Sequence, residues 1–274
     1  MELTSSRATK DIFAQHGLKP RYGLGQNFLI DQNVIKKLLT ASNIQPEDTV
    51  LEIGSGIGTL TQELAKHAKN VIAIEKDPKM VKILEKTLAE FKNVKIIQGD
   101  ILKFDTRYKI QDTRYKIVAN LPYYITAPVL RKFLELCEAK PSTMTLIVQK
   151  EVAQRICAKP PKMSILAVAT QVYALPKIVS SIKKTSFWPQ PKVDSAILHV
   201  IPLSHPYPPD FPRFFTVVKA GFKQPRKQIV NNLSTELHLS RKQAEQWLQK
   251  NKIQPTQRAE TLTIQNWIDL VNSI

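Results

Sequence analysis

The sequence predicts an α/β fold: an open, mainly parallel sheet with helices on both faces, followed by a small all-helical C-terminal domain. Three observations carry this. Strand-sized apolar runs alternate with amphipathic helical periodicity from Thr49 to Val148. A glycine-rich turn, Gly54-Ser55-Gly56-Ile57-Gly58, joins the first of those runs to its helix. A proline-dense stretch, His205-Pro206-Tyr207-Pro208-Pro209, is followed by helical and basic sequence. The division drawn from these is 1–204 for the sheet domain, with residues 1–20 as a basic arm, and 205–274 for the helical domain.

The elements follow in order. A short helical pattern around Ile12 and Phe13 ends near Gly17, and Asp31 is placed to cap a helix whose buried stripe is Val34, Ile35, Leu38 and Leu39. Strands are predicted over Thr49 to Ile53, Asn70 to Glu75, Val94 to Gln98 and Lys116 to Ala119. Helices are predicted over Gly58 to Ala68 and over Pro78 to Glu90, the latter with proline in its first turn. Beyond them come a helix from Ala127 to Ala139, a strand from Thr143 to Val148 and a helical stretch to Ile156. A helix from Ser164 to Ala174 precedes strands over Ile178 to Lys183 and Ser195 to Ile201, with Phe187-Trp188-Pro189-Gln190-Pro191 as a rigid aromatic loop between the strands. The hexapeptide Asp105-Thr106-Arg107-Tyr108-Lys109-Ile110 recurs from Asp112 to Ile117 and reads as a tolerated loop insertion.

Bulk properties narrow the partners. The chain has 274 residues, 43% of them hydrophobic, and its apolar runs are strand-sized. They fall far short of the roughly 20 residues a spanning helix needs, and the N-terminus lacks the apolar core of a secretory signal. Two cysteines, Cys137 and Cys157, without histidines at ligand spacing, offer neither a disulfide framework nor a metal site, so a reducing cytoplasmic setting is expected. The net charge of +17 points to a polyanionic partner, and nucleic acid is the commonest one.

Chemistry gathers at the predicted strand ends, where ligands bind in open parallel sheets. Gly54 and Gly56 let backbone approach a nucleoside closely. The spacing lacks the third glycine of a dinucleotide fingerprint, because Thr59 stands there. Glu75 ends the second strand and can accept from ribose hydroxyls; Asp100 ends the third and can accept from an adenine amino group. The fourth ends in Asn120-Leu121-Pro122-Tyr123. That turn offers a carboxamide, a carbonyl aimed by the proline that follows Leu121, and an aromatic face. An exocyclic amine on a planar base calls for those three groups, because its lone pair is delocalised and acceptors must draw it toward tetrahedral geometry. Phe187 is a second aromatic that could cover such a base, or equally an apolar anchor.

Gly25-Gln26-Asn27-Phe28-Leu29, Glu52 to Gly58, Asn120 to Ile125 and Phe187 to Ser195, in this order, resemble the KsgA-type ribosomal RNA adenine dimethyltransferases. The likeness runs from about residue 9 to Asp269 and takes in Gln149-Lys150-Glu151-Val152-Ala153 and Arg258-Ala259-Glu260-Thr261-Leu262.

The resemblance implies a Rossmann-like class I methyltransferase sheet with S-adenosylmethionine as donor. The substrate it implies is two adjacent adenosines in the 3′-terminal hairpin of small-subunit (16S) rRNA, each dimethylated at N6. It assigns Asn27, Leu29, Gly54, Gly56, Glu75, Asp100 and Asn120 to the cofactor, and Asn120, Leu121, Pro122, Tyr123 and Phe187 to the reacting adenine. No metal is expected. The expected partner is small-subunit rRNA in a partly assembled 30S particle, met by a monomer with no membrane association. The loop after Pro160, shortened to Pro161-Lys162-Met163, and the hexapeptide repeat depart from the family pattern. Other readings share the motifs: a large-subunit rRNA dimethyltransferase of the antibiotic-resistance type, a ribosome-assembly factor without catalysis, and a DNA adenine methyltransferase.

Overall fold

The computed structural model describes residues 3–21, 23, 25–105, 114–204 and 210–273. The proline-dense stretch at 205–209 and most of the hexapeptide repeat lie outside them. Nine strands are described: β1 Phe28–Leu29, β2 Thr49–Ile53, β3 Asn70–Glu75, β4 Val94–Gln98, β5 Tyr115–Asn120, β6 Thr143–Gln149, β7 Ala174–Ile182, β8 Phe187–Trp188 and β9 Ser195–Pro202. Seven of them form one sheet in the order β4-β3-β2-β5-β6-β9-β7. β4, β3, β2, β5 and β6 run parallel, and β9 is antiparallel to β6. The α/β class and the strands expected between Thr49 and Val148 are therefore as read.

Helices α1 Ser6–Gln15, α2 Gln32–Ser42, α3 Thr59–His67, α4 Pro78–Thr87 and α5 Thr126–Arg131 accompany these strands. Asp31 caps α2 by accepting from the Asn33 and Val34 amides, and Asp77 caps α4 from the Lys79 amide. Each such bond satisfies an amide with no partner inside the helix. One apolar cluster joins Val34, Ile35 and Leu38 of α2 and Leu60 and Leu64 of α3 to Val50, Val71, Val118 and Ile147 of the sheet. A second joins Phe13, Phe28, Ile57, Met80 and Ile83.

Three elements differ from expectation. The predicted helix from Ala127 to Ala139 ends as α5 at Arg131 and continues as a π turn, Lys132–Leu136, where the Lys132 ammonium donates to the Phe104 carbonyl at 2.6 Å. Strand β7 begins at Ala174, four residues before its predicted start, because this sheet neighbour of β9 continues the ladder over the end of a predicted helix. The predicted aromatic loop holds β8, which pairs antiparallel with β1: Phe28 faces Trp188, and Leu29 faces Phe187.

The chain forms two compact units, Met1–Ala153 with Lys177–Pro202, and Gln154–Pro176 with Leu203–Ile274. The sequence division at residue 204 thus differs over Gln154–Pro176, which groups with the C-terminal helices. The reason is packing: Tyr173 stacks on Phe211 with centroids 4.5 Å apart, and the Met163 amide donates to the Glu260 carbonyl. Helix α6 Lys150–Ile156 spans the boundary at Ala153, and the second unit holds α7 Ile165–Gln171, α8 Phe211–Gly221, α9 Ile229–Glu236, α10 Arg241–Lys250 and α11 Ile264–Asn272. Trp267 of α11 is wholly buried there, and Ser240 and Thr263 start α10 and α11 with capping boxes.

Candidate active site

Strands β2 and β5 are neighbours, yet β3 and β4 lie beyond one of them and β6 beyond the other. Such a reversal of winding opens a crevice at the carboxyl ends of the two strands. A cavity occupies this place in the first unit. Its walls include Gly54 and Gly56 after β2, Glu75 at the end of β3, Asp100 after β4, and Asn120 and Pro122 at the end of β5; Asn27 and Leu29 complete it from the N-terminal segment.

The glycine turn is shaped by what stands against it. Gly54 and Gly56 have φ of +74° and +59°, where side chains are strained. A Cβ on Gly56 would also lie 3.0 Å from the Phe28 ring, and one on Gly54 would lie 3.5 Å from Pro122. A side chain at either position is therefore strained by the backbone, and at Gly56 it would also press on the Phe28 ring. Glu75 ties it to β3: one carboxylate oxygen accepts from the Gly56 amide at 2.9 Å and the other from the Asp77 amide at 2.8 Å. Burial pushes the Glu75 carboxyl above its ordinary range, and these amide bonds oppose the shift.

Asp100 accepts from the Lys76 ammonium at 2.9 Å and from the Leu102 amide at 2.9 Å. The hydrogen bond from Lys76 holds its carboxyl below the usual range. Asn120 donates through Nδ2 to the Asn27 carbonyl at 2.9 Å, while Asn27 donates its own Nδ2 to the Gly25 carbonyl at 3.2 Å. No described residue donates to Asn120 Oδ1 or to the Leu121 carbonyl. The Leu121 side chain is buried, and Tyr123 is held by a 2.7 Å hydrogen bond between its hydroxyl and Ser195 Oγ.

The cavity thus unites Asn27, Leu29, Gly54, Gly56, Glu75, Asp100, Asn120 and Pro122. It does not include Leu121, Tyr123 or Phe187 in its lining. Phe187 is only 3% exposed and packs in the apolar cluster with Leu29, Val34 and Ile197. Among the lining residues to which the sequence gives no role are Glu52, Thr59 and Lys76. Glu52 is 2% exposed and accepts from Thr61 Oγ1 at 2.5 Å. Burial pushes its carboxyl up to about 7. An acid inside the apolar run Val50-Leu51-Glu52-Ile53 was the available signal for it.

The whole sequence decides the family. A model of ribosomal RNA adenine dimethylases matches residues 17–274.

The chain belongs to the ribosomal RNA adenine dimethylase family. It is 42% identical to a ribosomal RNA small subunit methyltransferase A of Dehalococcoides mccartyi, over 94% of this chain and 89% of that protein. It is 39% identical to the protein of the same description from Geobacillus thermodenitrificans, over 100% of this chain and 97% of the relative. Among solved structures, the 23S rRNA methyltransferase ErmE superposes with a TM-score of 0.73 at 26% identity, over 90% of this chain and 99% of ErmE. A dimethyladenosine transferase from Plasmodium falciparum gives 0.76 at 24% identity, over 89% and 95%, and shares the fold. The four motifs on which the resemblance was drawn all fall within the matched residues.

The cavity also suits the methyl donor of such enzymes. Apart from the buried Glu52, whose carboxyl is pushed up to about 7, its described lining residues include two acids, Glu75 and Asp100, against one lysine, in a chain of net charge +17. A cationic sulfonium with an α-ammonium group is complementary to that lining. Thr59 lines the cavity, and its Oγ1 is buried without a hydrogen-bond partner among the described residues. No group of His, Cys, Asp and Glu residues suited to a metal ion occurs among the described residues, and no described helix is long and apolar enough to cross a membrane.

Proposed function

We propose that the chain transfers methyl groups from S-adenosylmethionine to N6 of two adjacent adenosines in the 3′-terminal hairpin of small-subunit rRNA. The single observation that carries the chemistry is Asn120 in the cavity, its Nδ2 bonded to the Asn27 carbonyl and its Oδ1 without a described donor. That arrangement orients the amide so that its free atom is an acceptor. The choice of small-subunit RNA is supported by relatives near 40% identity and near full length that carry the small-subunit name.

When bound, S-adenosylmethionine supplies an electrophilic methyl group on a sulfonium. The chain's own residues then have the following roles. Glu75 accepts from the ribose hydroxyls and Asp100 from the purine amine. Asn120 Oδ1 and the Leu121 carbonyl accept the two N6 protons of the target and draw its lone pair out of conjugation. Pro122, at φ −54° and ψ 128°, fixes the direction of the turn. Tyr123 stacks on the extruded base, a contact worth roughly 1–3 kcal/mol, with its ring set by Ser195. The methylated amine is acidic enough to lose its proton without a strong base, so positioning accounts for most of the acceleration. The enzyme acts as a monomer in the cytoplasm on a partly assembled particle, and its basic helices contact phosphate.

The experiment is methylation of isolated small and large subunits lacking the modification, with labelled donor and mapping of the modified nucleotides. Label at two neighbouring adenosines of the small subunit supports the reading. Label confined to the large subunit transfers it to the ErmE-like alternative.

A further inference from the structure

Helix α4 carries Lys79, Lys82 and Lys86, all exposed and spaced three and four residues apart. That spacing sets them on one face of the helix, over about 10 Å of its length. Folding does not account for the stripe. Like charges at this spacing repel, and Lys79 stands in the first turn, where the helix dipole disfavours a cation. Other helices pair such charges: Arg7 with Asp11, Lys66 with Glu63, Arg131 with Glu135 and Arg241 with Glu245. Glu85, the one acid within α4, forms no ion pair with any of the three lysines among the described residues.

At its first turn the stripe meets a groove of about 250 Å³ whose walls include Lys19, Arg21, Asp77 and Lys79. The carboxylate there is already engaged. Asp77 accepts from the Lys79 amide at 3.0 Å and from Gln26 Nε2 at 3.2 Å, and it lies 3.7 Å from the Arg21 guanidinium. Lys19 and the Lys79 ammonium have no ion-pair partner among the described residues. Gln26 also lines the cavity at the strand ends, so its bond to Asp77 links that cavity to the groove.

We propose that the Lys79-Lys82-Lys86 face of α4, with the groove at its first turn, is a phosphate-binding surface of the first unit that holds a stretch of substrate RNA backbone. This rests on the reading of ribosomal RNA as substrate and adds where that RNA is gripped. A single small anion would meet one or two of these cations, whereas a row of them fits a polyanion. A nucleic-acid strand carries one charge per roughly 3.4 Å of its axis, so a stripe of this length faces about three phosphates.

The test is binding of unmethylated small subunits across a range of salt, by the intact chain and by a variant with Lys79→Gln, Lys82→Gln and Lys86→Gln together. A second triple variant, Lys66→Gln with Lys69→Gln and Lys92→Gln, removes the same charge near the amino ends of β3 and β4. The α4 variant should bind about 10- to 100-fold more weakly at physiological salt, and its slope of log affinity against log salt should be shallower by about 2. The second variant should change the slope by less than about 1. Calorimetry with S-adenosylhomocysteine reports whether each variant is folded. Should the triple α4 variant fail that check, Lys82→Gln alone should still lower the slope by about 0.7. A folded α4 variant with the wild-type slope overturns the proposal and spares the RNA reading, and equal losses in both triple variants overturn it in favour of general charge attraction. Failure of wild type to bind small subunits removes the RNA reading and this one with it.

Discussion

The Asn120 side chain donates to the Asn27 backbone carbonyl at 2.9 Å, joining positions 93 residues apart. Two motifs distant in sequence are therefore parts of one device. The segment Gly25 to Leu29 fixes which end of the Asn120 amide is available, and Asn27 is itself braced by its bond to the Gly25 carbonyl. An acceptor of settled orientation at the tip of β5 is what recognition of an amine requires.

Glu75→Ala should weaken binding of S-adenosylhomocysteine by about 10- to 100-fold, the worth of one charged hydrogen bond. Glu75→Gln should fall between, because an amide can accept from only one of the Gly56 and Asp77 amides that the carboxylate now holds. Calorimetry gives both numbers, and unchanged affinity in the alanine variant would remove Glu75 from the ribose site.

Gly56→Ala combines a left-handed backbone with a 3.0 Å approach to the Phe28 ring. The backbone term alone costs about 1–2 kcal/mol. Thermal unfolding should report a loss of at least that size, with weakened donor binding because the displaced turn no longer meets Glu75. A variant as stable and as tightly binding as wild type would show that the turn adapts.

The Glu52 carboxyl, at about 7 in the folded chain against 4.5 in its ordinary state, binds a proton in the native protein over a pH range where the unfolded chain has lost it. Stability from this group is fully present below pH about 4.5 and is lost as pH rises through about 7, by an amount on the order of 3 kcal/mol. Glu52→Gln should flatten that part of the stability profile. Denaturant unfolding across the range measures it, and a variant that keeps the same slope would assign the effect elsewhere.

Phe187 sits in the apolar cluster opposite Leu29. Phe187→Ala should cost about 3–5 kcal/mol of stability, as for other large core truncations. Phe187→Leu should keep turnover per folded molecule within a few-fold. A folded leucine variant with turnover reduced a hundredfold would return Phe187 to the target base.

Much of this was legible in the sequence because the period of the apolar pattern and the glycine turn report local geometry. The strand ends at Glu75 and Asn120 could be named, and the acids and amides placed there do line one cavity. Long-range pairing was not legible. Nothing local in Phe187-Trp188 announces that it pairs with Phe28-Leu29, and the pairing accounts for the burial of Phe187. The early start of β7 and the grouping of Gln154–Pro176 with the C-terminal helices likewise depend on partners distant in the chain. Glu52 and Lys76 stood in plain view beside assigned residues, but their bonds to Thr61 and Asp100 are ones that no spacing reveals.

The most direct test of the Asn120 acceptor is single-turnover methyl transfer by Asn120→Ala to unmethylated small subunits at saturating donor. The expected result is a rate lower by about a thousandfold, in line with the removal of a preorganised hydrogen-bonding group from a transition state, with RNA affinity held within a few-fold. Methyl transfer at near the wild-type rate would contradict the account, because the amine would then be held by something other than Asn120.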